Sequence, residues 1–244
     1  ILGSIALNGL AVALPLFGRD TGEISDGYPS RFTPAGYVFS IWSLIYLGLI
    51  AYAIWQALPE QRSDPVVRAL DGPVLLSSLA NGLWLVFWHR LDIPLTLPLM
   101  LVLLGSLITV HTRLGIGRRP ARSRGEAWCA RVPFGLYLGW ITVATVANVA
   151  ILLLHLGWQG GPLSPEVWAA ALVLVAGLLA WLMALRRGDA VYPLVIAWAA
   201  WGIAAKQADA ASLALIARSV AGLAILASLW ALRGRLGAGR LSTH

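Results

Sequence analysis

The chain has 244 residues, 59% of them hydrophobic and only 12% charged, with a net charge of +7 and a mean hydropathy of +0.76. Soluble domains carry about 25% charged residues, so this composition excludes a soluble globular protein and requires an integral membrane protein. The basic excess then reads as loop charge under the positive-inside rule rather than as a nucleic-acid surface, and no nucleic-acid partner is expected. A single cysteine, Cys129, excludes an internal disulfide and any multi-cysteine metal site. No two of His89, His111, His155 and His244 have ligand spacing, so no metal is expected.

Apolar runs separated by charged or Pro/Gly turns predict eight membrane spans: Ile1–Phe17, Ala35–Leu58, Pro73–His89, Ile93–Leu114, Val132–Leu156, Ser164–Leu185, Val191–Lys206 and Ser212–Leu232. The runs lack strand-like alternation, so all are expected to be helices. Ile1 already stands inside the first run, which is read as a membrane helix continuing upstream, with a cleaved signal peptide as the alternative. The third and seventh runs are short against the roughly 20 residues a bilayer needs. The turn Arg90–Asp92 is tight enough to force an antiparallel hairpin between the third and fourth spans.

With eight spans, 13 of the 18 basic residues fall on one side, in the loops at 59–72, 113–131 and 186–190 and in the C-terminal tail. Four others, Arg19, Arg31, Arg90 and Lys206, fall on the opposite side, and Arg218 stays within the last span. Both termini are therefore expected in the cytoplasm, with the Arg19–Pro34 loop facing out. The arginine-rich Arg113–Arg131 loop matches no phosphate-binding motif, and topology with contact to anionic lipid heads is favoured over docking to nucleic acid or to a specific phosphoinositide.

Acidic side chains are missing from the span interiors, which argues against a proton pump or ion-coupled transporter. Lys206, Arg218, His111 and His155 lie near helix ends, where snorkelling explains them. The mid-span residues that stand out are aromatic rings and amides. Phe39, Trp42 and Tyr46 share one helical face of the second span; Asn81, Trp84 and Trp88 share one in the third; Tyr137, Trp140, Ala144 and Asn148 share one in the fifth. Asparagine facing lipid would go unsatisfied, so Asn81 and Asn148 must face the interior. Two readings remain: the amides join helices and the rings fill space, or the three stripes wall a tall apolar pocket for a flat aromatic ligand.

The stretches TPAGYVFSIWSLIYLGL, LANGLWLVFW and VPFGLYLGWITVATVANVA resemble the second, third and fifth helices of the TspO/MBR family, the tryptophan-rich sensory proteins and the mitochondrial translocator protein. The matching positions are Pro34, Phe39, Trp42 and Ile45-Tyr46; Asn81, Leu83-Trp84 and Phe87; and Pro133-Phe134, Trp140, Ala144 and Asn148. The resemblance covers roughly residues 1–156 and implies a five-helix transmembrane bundle there. Residues 157–244 would then add about three membrane helices, packed with it as one membrane domain in an extended bacterial branch. It further implies a multi-pass protein of the inner membrane, possible homodimers, and a pocket for porphyrins (protoporphyrin IX or haem) or sterol-like molecules, closed by the Arg19–Pro34 loop. No cofactor is required. The implied pocket adds Pro34 and Tyr37 to the three stripes. It leaves three functions open: a sensory binding protein, a transporter of such ligands, and a light-dependent porphyrin-degrading enzyme using Trp42 and Trp140. One departure falls at Ala35, where the family usually has a second proline.

Overall fold

The protein is described by a computed structural model over residues 18, 21–158 and 160–241, with side chains to residue 233. All its regular elements within that range are helical. They are α1 (Thr21–Asp26), α2 (Ile41–Gln56), α3 (Pro59–Arg62), α4 (Pro65–His89), α5 (Ile93–Leu114), α6 (Val132–His155), α7 (Pro165–Leu182), α8 (Val191–Lys206) and α9 (Ala211–Leu241). A 3-10 turn, Gly36–Ser40, leads into α2, and π-helical turns Glu126–Arg131 and Met183–Arg187 precede α6 and follow α7. Six helical stretches are long and apolar enough to cross a membrane, and α8 is a shorter apolar helix of 16 residues, about 24 Å at 1.5 Å per residue. The expected span Ile1–Phe17 lies outside the described residues.

Among the span starts, that of the third departs most from its expected position. The span starts at Pro65 rather than Pro73 and runs for 25 residues. Asp64 explains the start: its Oδ1 accepts from the Val66 and Val67 N–H groups at 2.8 and 3.2 Å, and Pro65 occupies the first helical position, where no N–H is needed. Pro73 is absorbed within the helix, as membrane helices allow. At its far end, Leu91 N–H donates to the Trp88 carbonyl and Asp92 N–H to the Phe87 carbonyl. That is the bonding pattern of a left-handed C-cap, and Leu91 adopts φ +63° where glycine is usual. The chain reverses there, and α4 packs along α5.

Two compact units divide the chain. Among the described residues, the first takes those up to 30, 39–114 and 121–158; the second takes 31–38, 115–120 and 160–241. Within the first, α2 lies close to α6 because Gly48 has no side chain: a Cβ there would fall 2.9 Å from Pro133 Cβ. Within the second, α9 presents buried Ala214, Ala217, Ala221, Ala224, Ala227 and Ala231 along one face. Small residues at this spacing let helix backbones approach in lipid, where no hydrophobic force draws helices together. Gly177 of α7 answers that face, since a Cβ there would meet Val220 at 2.9 Å. Leucines such as Leu44, Leu47, Leu79, Leu174 and Leu226 stay exposed on the outer faces, which suits contact with lipid tails.

Candidate ligand site

The rings of the second and fifth spans meet. The Trp42 ring stacks on Tyr46 at 5.4 Å and 17°. It meets Tyr137 at 6.0 Å and Trp140 at 6.2 Å, both edge-on, and Phe39 meets Trp140 edge-on at 5.6 Å. Edge-to-face contacts of this kind bring the positive ring edge to the negative ring face. Trp42, Tyr137 and Trp140 are all buried. Asn81, on α4, joins the cluster by a side-chain hydrogen bond with Tyr46. Ala144 lies one turn beyond Trp140 on α6 and is half-buried.

The third stripe serves a different purpose at its ends. Trp84 and Trp88 stack at 5.2 Å. Trp84 Nε1 donates to Asn148 Oδ1 at 3.0 Å, Asn148 Nδ2 donates to Thr96 Oγ1 at 2.8 Å, and Thr96 Oγ1 donates to the Ile93 carbonyl at 2.7 Å. Both ends of the Asn148 amide are thus occupied in joining α4, α5 and α6. Trp88 Nε1 donates to the Thr21 carbonyl at 3.3 Å and ties α1 to α4.

Among the candidate residues, two polar atoms stay buried without a hydrogen-bond partner: Asn81 Oδ1, an acceptor, and Trp140 Nε1, a donor. Both residues are 2% exposed. The path Asn81–Tyr46–Trp42–Trp140 places them in one ring cluster. An unmade bond of this kind costs about 1–3 kcal/mol. The cluster therefore holds unused hydrogen-bonding capacity of both kinds within an apolar wall.

A family model for TSPO-like protein matches residues 1–231. The chain belongs to the TSPO-like family. The match passes residue 156, where the resemblance was expected to end, and takes in α7, α8 and α9 as far as residue 231. No curated protein and no solved structure matches the chain. A TSPO-like family, an apolar helical bundle and aromatic clusters together fit a membrane binding protein.

Pro34 and Tyr37 fold with the second unit of this TSPO-like protein, against α8. Tyr37 is 48% exposed and meets Trp198 edge-on at 5.4 Å. Ala35 N–H donates to the Gly202 carbonyl at 3.1 Å. The departure from proline at this position supplies that donor, because proline has no N–H. The loop expected as a lid is held at both ends: Trp88 binds Thr21 in the first unit, and α8 binds Ala35 in the second. Trp198 and Gly202 carried no sequence signal, since each reads as one more apolar residue of a span.

A buried charge pair was also missed. Glu126 is 2% exposed, and its two oxygens accept from Arg122 Nε at 2.6 Å and Arg131 Nε at 2.7 Å. Arg122 Nη1 also donates to Asp64 Oδ2 at 2.5 Å. Burial alone would raise the Asp64 carboxyl, but the Val67 and Val66 N–H groups and the Arg122 charge outweigh it and hold the group below the usual carboxylate range. Two of the basic residues of the 113–131 loop are thus internal partners. Among the described residues, no group of three or more His, Cys, Asp or Glu side chains could hold a metal ion.

Proposed function

We propose that this TSPO-like protein binds a flat, apolar, membrane-soluble ligand of the tetrapyrrole class at the ring cluster of α2, α4 and α6, as a binding and sensory protein of the bacterial inner membrane. The observation that carries this reading is the buried pair of unpartnered atoms, Asn81 Oδ1 and Trp140 Nε1, within a wall of Phe39, Trp42, Tyr46 and Tyr137. A tetrapyrrole offers large ring faces to stack, an N–H for the Asn81 acceptor, and carboxylate oxygens for the Trp140 donor. A sterol-like molecule would use one hydroxyl for either group and leave the stacking faces unused, so the porphyrin is favoured. Because the rings now pack on one another, binding requires Trp42 or Trp140 to rotate aside.

Titration of the purified protein with protoporphyrin IX tests this by quenching of tryptophan fluorescence. Trp140→Phe keeps the ring face and removes the donor, and is expected to weaken binding about fivefold to tenfold. Trp42→Phe, which removes part of the stacking face, is expected to weaken it as well. Absence of quenching in the wild-type protein, or wild-type affinity in both variants, defeats the reading. Loss of porphyrin absorbance under light would add photochemistry at Trp42 and Trp140 to binding.

A further inference from the structure

Arg218 stands within the membrane stretch of α9, Ala211–Arg233. It lies about 10 Å along the helix from Ala211, at 1.5 Å per residue. Its side chain is exposed, and the residues that share its stripe, Leu215, Gly222, Ile225 and Leu229, are exposed as well. The stripe is apolar apart from Arg218, so it suits lipid tails everywhere but at the guanidinium. A charge facing lipid tails is among the most costly placements in a membrane helix, and such a residue marks a functional site by default.

The second unit supplies no counter-charge for it. Its described residues hold three carboxylates, Glu166, Asp189 and Asp209. Arg31 takes two of them: its Nη1 donates to Asp209 Oδ2 at 2.7 Å, and its Nε lies 3.3 Å from Glu166 Oε1. Asp189 is buried at the start of α8, where its Oδ1 accepts from the Val191 N–H at 2.8 Å. Ser228 Oγ donates to the Ala190 carbonyl at 2.6 Å, which sets that end of α8 beside Ser228. Ser228 is about 15 Å down α9 from Arg218. Arg218 makes no hydrogen bond or ion pair with any described residue.

We propose that Arg218 binds the phosphodiester of an anionic phospholipid, of the phosphatidylglycerol type, from the leaflet at the α8–α9 turn. Helical side chains lean toward the N-terminus, so the Arg218 stem rises toward that turn and its headgroups. Snorkelling hydrates the guanidinium but brings no negative charge. A phosphate brings one, and the planar fork of arginine engages two of its oxygens. The phosphate of a zwitterionic lipid is already paired with its own ammonium, so a net-anionic lipid is favoured. Gly222 lies one turn deeper, and a Cβ there would meet nothing within 4 Å. The surface is therefore flat where the acyl chains would run, along Gly222, Ile225 and Leu229. A second copy packed face to face through this stripe would set Arg218 against Arg218, which argues for a lipid over a symmetric dimer. The site is independent of the ring cluster and of any ligand bound there.

Native mass spectrometry of the full chain in detergent tests the site, by titration with phosphatidylglycerol and with phosphatidylcholine of the same acyl chains. The wild-type protein is expected to prefer phosphatidylglycerol. Arg218→Gln is expected to hold one phosphatidylglycerol fewer, its tightest apparent affinity for that lipid falling about tenfold, the weight of one charge-assisted hydrogen bond. Its phosphatidylcholine binding is expected to stay as it is. The substitution removes a charge from an exposed stripe and leaves the packed face of α9 intact, and circular dichroism checks the fold. Arg118→Gln, at an exposed turn of the same unit, is expected to keep the tight lipid. Equal phosphatidylglycerol binding in the wild type and Arg218→Gln overturns the site, as does a wild-type protein that binds the two lipids alike. An equal loss in Arg118→Gln reduces the effect to general attraction by basic charge and overturns it too. A wild-type oligomer that Arg218→Gln dissociates, with lipid binding unchanged, assigns Arg218 to a protein partner instead.

Discussion

Asn81 and Asn148 look alike in the sequence, each an amide on an aromatic stripe, and the structure separates them. Asn148 accepts from Trp84 and donates to Thr96, so both ends of its amide are used. Asn81 keeps a bare buried oxygen. Asn148→Ala would strand the Trp84 Nε1 donor in a low-dielectric interior, at a cost of about 1–3 kcal/mol. Asn81→Ala strands less and is expected to cost under about 1 kcal/mol while weakening porphyrin binding. Thermal unfolding in detergent alongside quenching titrations checks the pair. If Asn81→Ala lowers stability as much as Asn148→Ala and binding is unmoved, Asn81 is a helix joint and not a ligand contact. Sequence spacing could put both amides inside the bundle, because an amide in lipid goes unsatisfied. It could not apportion their partners, because Thr96 lies 52 residues from Asn148.

At the scale of the element, the helices follow from composition and their ends from local chemistry. The run Val191–Lys206 was legible to the residue because Asp189 on one side and Gln207 on the other bound an unbroken apolar stretch. Asp189 Oδ1 accepts from the Val191 N–H at 2.8 Å and fixes that start. The start of α4 was not legible, since Arg68 and Asp71 look like loop until the Asp64 cap is seen to precede them. The α4–α5 turn carries the clearest element-scale strain. Leu91 holds φ +63° at a C-cap where a side chain costs about 1–2 kcal/mol. Leu91→Gly relieves this and is expected to raise stability by about 1 kcal/mol after the greater freedom of glycine in the unfolded chain is discounted. A melting temperature that falls instead would mean that the half-exposed Leu91 side chain contributes packing that outweighs the strain.

At the scale of the molecule, α7, α8 and α9 fall in the second unit, and Arg31–Val38 and Gly115–Pro120 fall there with them. The Arg31 end of the first segment has a pH response. Asp209 is held below the usual carboxylate range by its hydrogen bond from Arg31, and the Arg31 charge adds to it. A depressed carboxyl contributes stability above its unfolded value of about 3.9 and loses it as pH falls through the lower folded value. The contact is therefore complete at neutral pH and fails only in strong acid. An NMR titration of the Asp209 carboxyl is expected to give a midpoint below about 3.9, rising towards it in Arg31→Gln. An unchanged midpoint in Arg31→Gln would show that Arg31 does not hold Asp209. Asp209 is well exposed and Arg31 is 34% exposed, so the effect on stability is small.

The sequence by itself determined the membrane class, the helical architecture, the family and the faces of the aromatic stripes. Each of these rests on composition or on the 3.6-residue period, which are local properties of the chain. Only the tertiary structure decided that Trp42, Tyr46, Tyr137 and Trp140 meet in one cluster, that Asn81 keeps a free acceptor while Asn148 does not, and that Pro34 and Tyr37 belong with α8. Those outcomes depend on pairings across 50 to 160 residues, made by single hydrogen bonds and by a glycine at the point of closest approach. No local pattern encodes them: a Gly202 that admits Val38 reads in sequence as any small residue in a membrane helix.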